Sequence, residues 1–146
     1  MAALLDVNAL IALVDSDHVA HQTIRNWFTR HHRSGWATCP LSENGMVRVL
    51  SQPAYPSGQR TPAEVIQVLN ALKSAFEESY QFWPDDVSIA DDSLLNSALI
   101  AGSRQVTDAY LLALAARHNG TIASFDRSLA WQAVRGGSAH LIQRPS

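Results

Sequence analysis

The chain has one cysteine, Cys39, and one lysine, Lys73, among its 146 residues. A lone cysteine excludes an internal disulfide and a cysteine zinc cluster, and it fits a reducing compartment, so a cytoplasmic location is expected. Of the eleven basic residues only Lys73 is not arginine. Chemistry that depends on a lysine therefore has one candidate, placed within a helical stretch. There is no Gly-Lys-Ser/Thr, which excludes a nucleotide-binding P-loop. No stretch approaches the roughly 18 continuous apolar residues of a membrane span, and the N-terminal apolar run breaks at Asp6 without a basic leader. Neither secretion nor a membrane anchor is expected. Internal repeats and low-complexity segments are absent. A formal charge of −2 also argues against coating nucleic acid by bulk electrostatics.

Hydrophobic residues make up 47% of the chain and charged residues 16%, the balance of a compact protein. The length suits a single domain spanning residues 1–146.

Strand and helix signals alternate. Ala2 to Leu5 reads as a short buried strand, Asn8 to Val14 as the start of a helix, and Asp6 sits at the join. Val19, Ile24, Trp27 and Phe28 have helical spacing within His18 to His32, and Gly35 marks the turn before a second strand, Trp36 to Cys39. Pro40 suits the first turn of a helix running to Leu50, because its missing N–H would have no helical partner. Glu43 lies in that turn. Ser51 to Arg60 is loop. Thr61-Pro62-Ala63-Glu64 combines an N-cap, a proline at the first helical position and a capping-box acid, so a helix is predicted to about Ser79. Tyr80 to Trp83 reads as the third strand. Asp91 and Asp92 are expected to introduce a helix through about Ala101. Thr107 and Asp108 begin another, which stops at the Asn119-Gly120 signal. Thr121 to Phe125 is the fourth strand, Asp126 opens a short helix, and Ala139 to Ile142 closes the sheet.

This alternation predicts an α/β fold with a largely parallel sheet and helices on both faces. In such a sheet, helices that follow strands start at the carboxyl edge, where ligands bind. Asp6, Glu43, Asp108 and Asp126 mark helix starts there. Taken singly, Glu43, Asp108 and Asp126 are explained by capping and by the helix dipole. Asp6 is different, because an acid ending a buried strand with no local basic partner is costly to desolvate. Four carboxylates gathered at one edge repel one another unless a cation sits between them. Oxygen-only donors select Mg2+ or Mn2+ over zinc. Asn8, Thr107 and Ser124 stand beside three of the acids, where they either orient carboxylates and metal-bound waters or serve as caps.

With the four site acids set aside, the remaining charge of −2 becomes +2, mildly basic. Arg25, Arg30, His31, His32, Arg33 and Arg48 gather around the second helix and the entrance to Glu43, and read most simply as a solvated face. Arg127, directly after Asp126, is the better candidate for substrate contact. His18 and His21 lack a third nitrogen or sulfur partner nearby and read as surface residues. Trp27, Trp36, Trp83 and Trp131 read as core.

The segments Leu4-Leu-Asp-Val-Asn-Ala-Leu-Ile-Ala-Leu13, Leu41-Ser-Glu-Asn-Gly-Met-Val-Arg-Val-Leu-Ser51, Val106-Thr-Asp-Ala-Tyr-Leu-Leu-Ala-Leu-Ala115 and Thr121-Ile-Ala-Ser-Phe-Asp126 resemble, in order and spacing, the four acidic motifs of PIN-domain ribonucleases. Within that family the chain resembles the VapC toxins of bacterial toxin–antitoxin pairs. The resemblance runs from Ala2 to Arg127, with Ser124 where the family often has threonine. It implies a parallel five-stranded sheet flanked by helices, a Mg2+ or Mn2+ site at Asp6, Glu43, Asp108 and Asp126, and cleavage of RNA. It further implies a homodimer silenced by a cognate antitoxin.

In such a centre Asp6 and Asp108 are expected as the central metal ligands, with Glu43 and Asp126 forming a second metal site or orienting the attacking water. Attack by water leaves a 5'-phosphate and a 3'-hydroxyl. Two other enzyme classes carry a strand-end aspartate. A haloacid-dehalogenase-type phosphatase requires Asp-x-Asp where this chain has Asp6-Val7-Asn8, and both it and a response-regulator receiver require a strand-end lysine, which Lys73 is not. The remaining alternative is a catalytically idle PIN-like module that binds RNA or protein.

Overall fold

A computed structural model describes all residues, Met1–Ser146. Five short strands, β1 (Ala3–Leu5), β2 (Trp36–Thr38), β3 (Tyr80–Phe82), β4 (Thr121–Ala123) and β5 (Ile142–Gln143), form one parallel sheet in the order β3-β2-β1-β4-β5. The helices are α1 (Val7–Val14), α2 (His21–His31), α3 (Pro40–Leu50), α4 (Pro62–Ala75) and α5 (Val106–Arg117). None is long and apolar enough to cross a membrane.

The sheet is buried on both faces, which is why its central strands are apolar runs and not alternating ones. Ala2 and Leu4 pack toward α5, with Trp83, Leu95, Ile122 and Leu129. Ala3 and Leu5 face the other way, onto α1 to α4, with Trp27, Trp36, Met46 and Leu69. Three of the four tryptophans are core as expected, and Trp131 is only partly buried. Residues between α1 and α3 pack closely: a Cβ on Gly45 of α3 would lie 2.7 Å from Val7 Cγ2. The loop 51–60 is tied down at Asp15, which accepts hydrogen bonds from Tyr55 Oη (2.6 Å) and Ser57 Oγ (2.9 Å) and pairs with Arg60 (3.5 Å).

The order places the topological switch point between β1 and β4, since the chain winds outward from β1 to β3 and then returns to the other side. Asp6 follows β1, and Ser124 and Asp126 follow β4, so both sides of that crevice are acidic.

Several predicted elements are corrected. No α-helix spans 91–101. Asp91 Oδ1 instead accepts hydrogen bonds from the amide (2.9 Å) and hydroxyl (2.6 Å) of Ser93, and Asn96 caps a 3-10 turn at Ser97–Leu99. Side chains of this kind offer the backbone an alternative to the helix. The backbone groups of Leu94 and Asn96 are further taken by Arg135 and Ala133. Asp126 likewise opens an Asx turn on Ser128 and not a helix; a 3-10 turn follows at Trp131–Ala133. The closing strand is Ile142–Gln143, because Ser138 caps a 3-10 turn over Ala139–Leu141. The second helix starts at His21 and the fourth stops at Ala75, with a 3-10 turn at Glu77–Ser79. The fourth strand ends at Ala123, short of Phe125.

Candidate metal centre at the sheet's carboxyl edge

Asp6 caps α1. Its Oδ1 accepts from the amide of Ala9 (2.7 Å), which satisfies one of the orphan N–H groups of the first turn. The side chain is buried, and its pKa is raised above the usual carboxylate range by that burial, with the charge of Asp126 adding to it and Ser124 and the Ala9 amide opposing it. Ser124 is fully buried; its hydroxyl accepts from the amide of Asp126 (3.0 Å) and favours the charged form of Asp6. It is the one of the three flanking polar residues that does orient site carboxylates.

Asp108 sits in the first turn of α5, half-buried. Burial, then the charges of Asp126 and Asp6 and a hydrogen bond to Asp126, push its pKa up to about 6. Asp126 moves the other way. The hydroxyl and amide of Ser128, its bond with Asp108 and the positive charge of Arg144 outweigh burial and hold it below the usual range. Two neighbouring carboxyl groups cannot both ionise cheaply, so Asp108 holds its proton to higher pH than Asp126 does.

The structure thus brings three of the four predicted acids together. None of the three has a lysine, arginine or histidine within ion-pair distance. A buried anionic group of that kind is relieved by a cation. No group of three carboxylates is spaced to hold a metal ion in this structure; the all-oxygen donor set is nevertheless the chemistry that a hard divalent ion such as Mg2+ or Mn2+ takes.

Glu43 is held differently. Its Oε2 accepts from Thr38 Oγ1 (2.5 Å) and Tyr80 Oη (3.4 Å) and pairs with Lys73 Nζ at 2.7 Å. It is not among the principal charges acting on the three aspartates. Lys73, excluded from strand-end roles by its place in a helix, reaches Glu43 from α4.

Asn8 and Thr107 are exposed and make no hydrogen bond to a site acid through their side chains. Thr107 instead lines a cleft of about 440 Å³ with Asn44, Arg48 and Asp85. Arg127 is exposed. Arg144, from the end of the chain, bonds the backbone carbonyl of Asp126 (2.9 Å) and reaches that of Arg127 (3.4 Å). In the basic cluster, His31 stacks on Trp27 and His32 on Phe28, so these rings are packing residues, while Arg25 and Arg30 are solvated. Sequence reasoning missed Lys73, Thr38, Tyr80 and Arg144. Only Lys73 carried a signal, as the single lysine of an arginine-rich chain.

Residues 3–134 match the PIN domain. Ribonuclease VapC44 of Mycobacterium tuberculosis is 46% identical over 139 residues, covering 94% of this chain and 95% of the relative. Ribonuclease VapC39 of the same organism is 43% identical over 136 residues, 93% of this chain and 96% of the relative. Among solved structures, VapBC2 from Rickettsia felis bound to a promoter DNA fragment superposes with a TM-score of 0.65 at 10% identity over the full length of both chains. FitAB bound to the IR36 DNA fragment gives 0.66 at 16% identity over 99% of this chain and 95% of the other. At those identities the likeness is one of fold, the five-stranded parallel sheet flanked by helices. Sequence and architecture agree along nearly the whole length: the chain belongs to the PIN-domain family.

Proposed function

We propose that this chain is a divalent-metal-dependent ribonuclease, the toxin of a type II toxin–antitoxin pair. The observation that carries the reading is the grouping of Asp6, Asp108 and Asp126, none of them in an ion pair, at the switch point of the sheet. The names of the similar proteins, ribonucleases VapC, support the same activity, and the VapBC and FitAB complexes support a cognate antitoxin.

Asp6, Asp108 and Asp126 would hold Mg2+ or Mn2+. Such an ion screens phosphate charge and lowers the pKa of an attacking water. The protein's own part is positioning. The Ala9 amide and the Ser124 hydroxyl fix Asp6, and the Ser128 turn fixes Asp126, so the carboxylates are oriented before substrate arrives. Arg48, with Asn44 and Thr107, offers hydrogen-bond donors for the RNA backbone in a cleft that Asp85 also lines, and Arg127 is exposed after Asp126. Glu43 flanks the centre through its pair with Lys73. Water attack gives 5'-phosphate and 3'-hydroxyl ends. The antitoxin is expected to place an arginine or lysine against the three aspartates, where its charge stands in for the cation. The active form is expected to be a homodimer of single-domain chains in the cytoplasm.

The test is RNA cleavage by the purified chain with Mg2+, Mn2+ or EDTA, with analysis of the product ends. Cleavage that needs the ion, leaves 5'-phosphates and disappears in D6N and D108N is expected. Cleavage that survives EDTA, or leaves cyclic phosphates, overturns the chemistry. A correctly folded parent that binds RNA or a partner without cutting is the idle module instead.

A further inference from the structure

Glu43 and Lys73 form an ion pair that is built into the fold from four elements. Glu43 sits in the first turn of α3 and Lys73 near the end of α4, and the two helices line one groove, with Ser51 opposite Pro62 at its far end. Thr38 at the end of β2 donates to Glu43 Oε2, and Tyr80 at the start of β3 bonds Thr38 Oγ1 at 2.6 Å while reaching the same carboxylate oxygen. The Lys73 ammonium lies over the rings of Tyr80 and Phe82, 5.3 and 5.5 Å from their centroids. An ammonium faced by a carboxylate at 2.7 Å and two aromatic rings is held as a cation. Burial lowers its pKa, but the bonds to Glu43 and Tyr80 outweigh that and leave it raised, so the charge is permanent at neutral pH. The side chains of both partners are largely covered, 24% exposed for Lys73 and 17% for Glu43, so the pair is not a loose surface contact.

Resting on the reading of Asp6, Asp108 and Asp126 as the metal centre, we infer that the Lys73 ammonium occupies, at Glu43, the place a second divalent ion would take, and that the centre binds one ion only. Lysine suits this role because its ammonium is a compact point charge with three rotatable donors. Glu43 is therefore a carboxylate already neutralised from within the chain. Lys73 acts as a positioning residue, fixing Glu43 and its charge against Thr38 and Tyr80 at the ends of β2 and β3.

The experiment counts Mn2+ ions per chain by equilibrium dialysis and calorimetry, with thermal unfolding to verify that each variant is folded. The parent is expected to bind one ion. Lys73→Met, which keeps the length of the side chain over the two rings and removes the charge, should bind two, and Lys73→Met with Glu43→Gln should return to one. In the parent background Glu43→Gln should leave the count at one and the Kd within about threefold, and this result stands even if the lysine variant fails to fold. A parent that binds two ions, a folded Lys73→Met that still binds one, or a Glu43→Gln that weakens Mn2+ more than tenfold overturns the inference while the nuclease reading stands. A parent that binds no Mn2+ overturns both.

Discussion

Asp108 is an acid of the centre whose pKa is pushed up to about 6, and replacing it with asparagine in metal-free protein is expected to raise stability at neutral pH. The sign follows from the direction of the shift. Its folded pKa of about 6 exceeds the ordinary 3.8, so the folded state binds the proton more tightly than the unfolded chain does. The cost of the group is absent below the unfolded pKa, grows as pH rises from about 4 to 6, and is complete above that. At about 1.4 kcal/mol per factor of ten, the upper bound is about 3 kcal/mol, and screening of a group in partial contact with water reduces it. Against this stands the loss of an acid from the first turn of α5, worth about 0.3–1 kcal/mol. Repulsion wins, and a net gain of about 1–2 kcal/mol remains for D108N at pH 7.5. For a chain of this size that corresponds to a rise in Tm of about 3–6 °C. Asparagine keeps the shape and can offer its amide N–H to Asp126, so no hole or orphaned carboxylate confuses the comparison. The assay is thermal unfolding of parent and D108N in EDTA at pH 4.5, 6 and 7.5, followed by a Mn2+ titration. The gap should open across that range, and Mn2+ should stabilise the parent more, since a ligand at about a hundred times its Kd adds about 2.7 kcal/mol to the state that binds it. If D108N is the less stable protein at pH 7.5, or if the gap is the same at pH 4.5, Asp108 is a helix-dipole residue and the mutual repulsion of the three acids is wrong.

Asp15 should show the opposite pH signature. Burial raises its pKa, but Tyr55, Ser57, the Asp17 amide and Arg60 together hold it below 3.8, so its stabilisation is present above that value and is lost as pH falls through the folded pKa. D15N is expected to cost about 1–3 kcal/mol at pH 7, with the gap to the parent shrinking below about pH 4 in urea unfolding. Gly45→Ala places a methyl group 2.7 Å from Val7 Cγ2 and should cost about 1–3 kcal/mol by overpacking; Val7→Ala added to it should recover part of that loss, and additive costs in the double variant would show that the two helices do not meet there.

Much of this protein is legible without coordinates, and the reason differs from case to case. Leu4, Leu5 and Ile122 announce buried strands because a parallel sheet covered on both faces needs uninterrupted apolar runs. Pro40 and Thr61-Pro62 fix helix starts because a missing N–H and a capping hydroxyl act within one turn of chain. Asp6, Glu43, Asp108 and Asp126 could be placed at one edge in advance because alternating strands and helices put helix starts there, but that Glu43 is paired apart from the other three could not. The segment 91–101 was misread because Asp91 and Asn96 have the chemistry of a cap in either setting. What decides between helix and turn there is the pairing of Leu94 and Asn96 with Arg135 and Ala133, some forty residues on. The same limit applied to charge. Glu43 and Lys73 are thirty residues apart in sequence, and only the packing of α3 against α4 makes them an ion pair. Arg144 is similarly distant from Asp126 until β5 lies beside β4. Local sequence determined which groups would stand at the carboxyl edge, since capping and strand burial are properties of a few neighbouring residues. Only the tertiary structure decided which of those charges repel and which are paired, because electrostatic energy depends on distance through space and on exclusion of water, and neither is written along the chain.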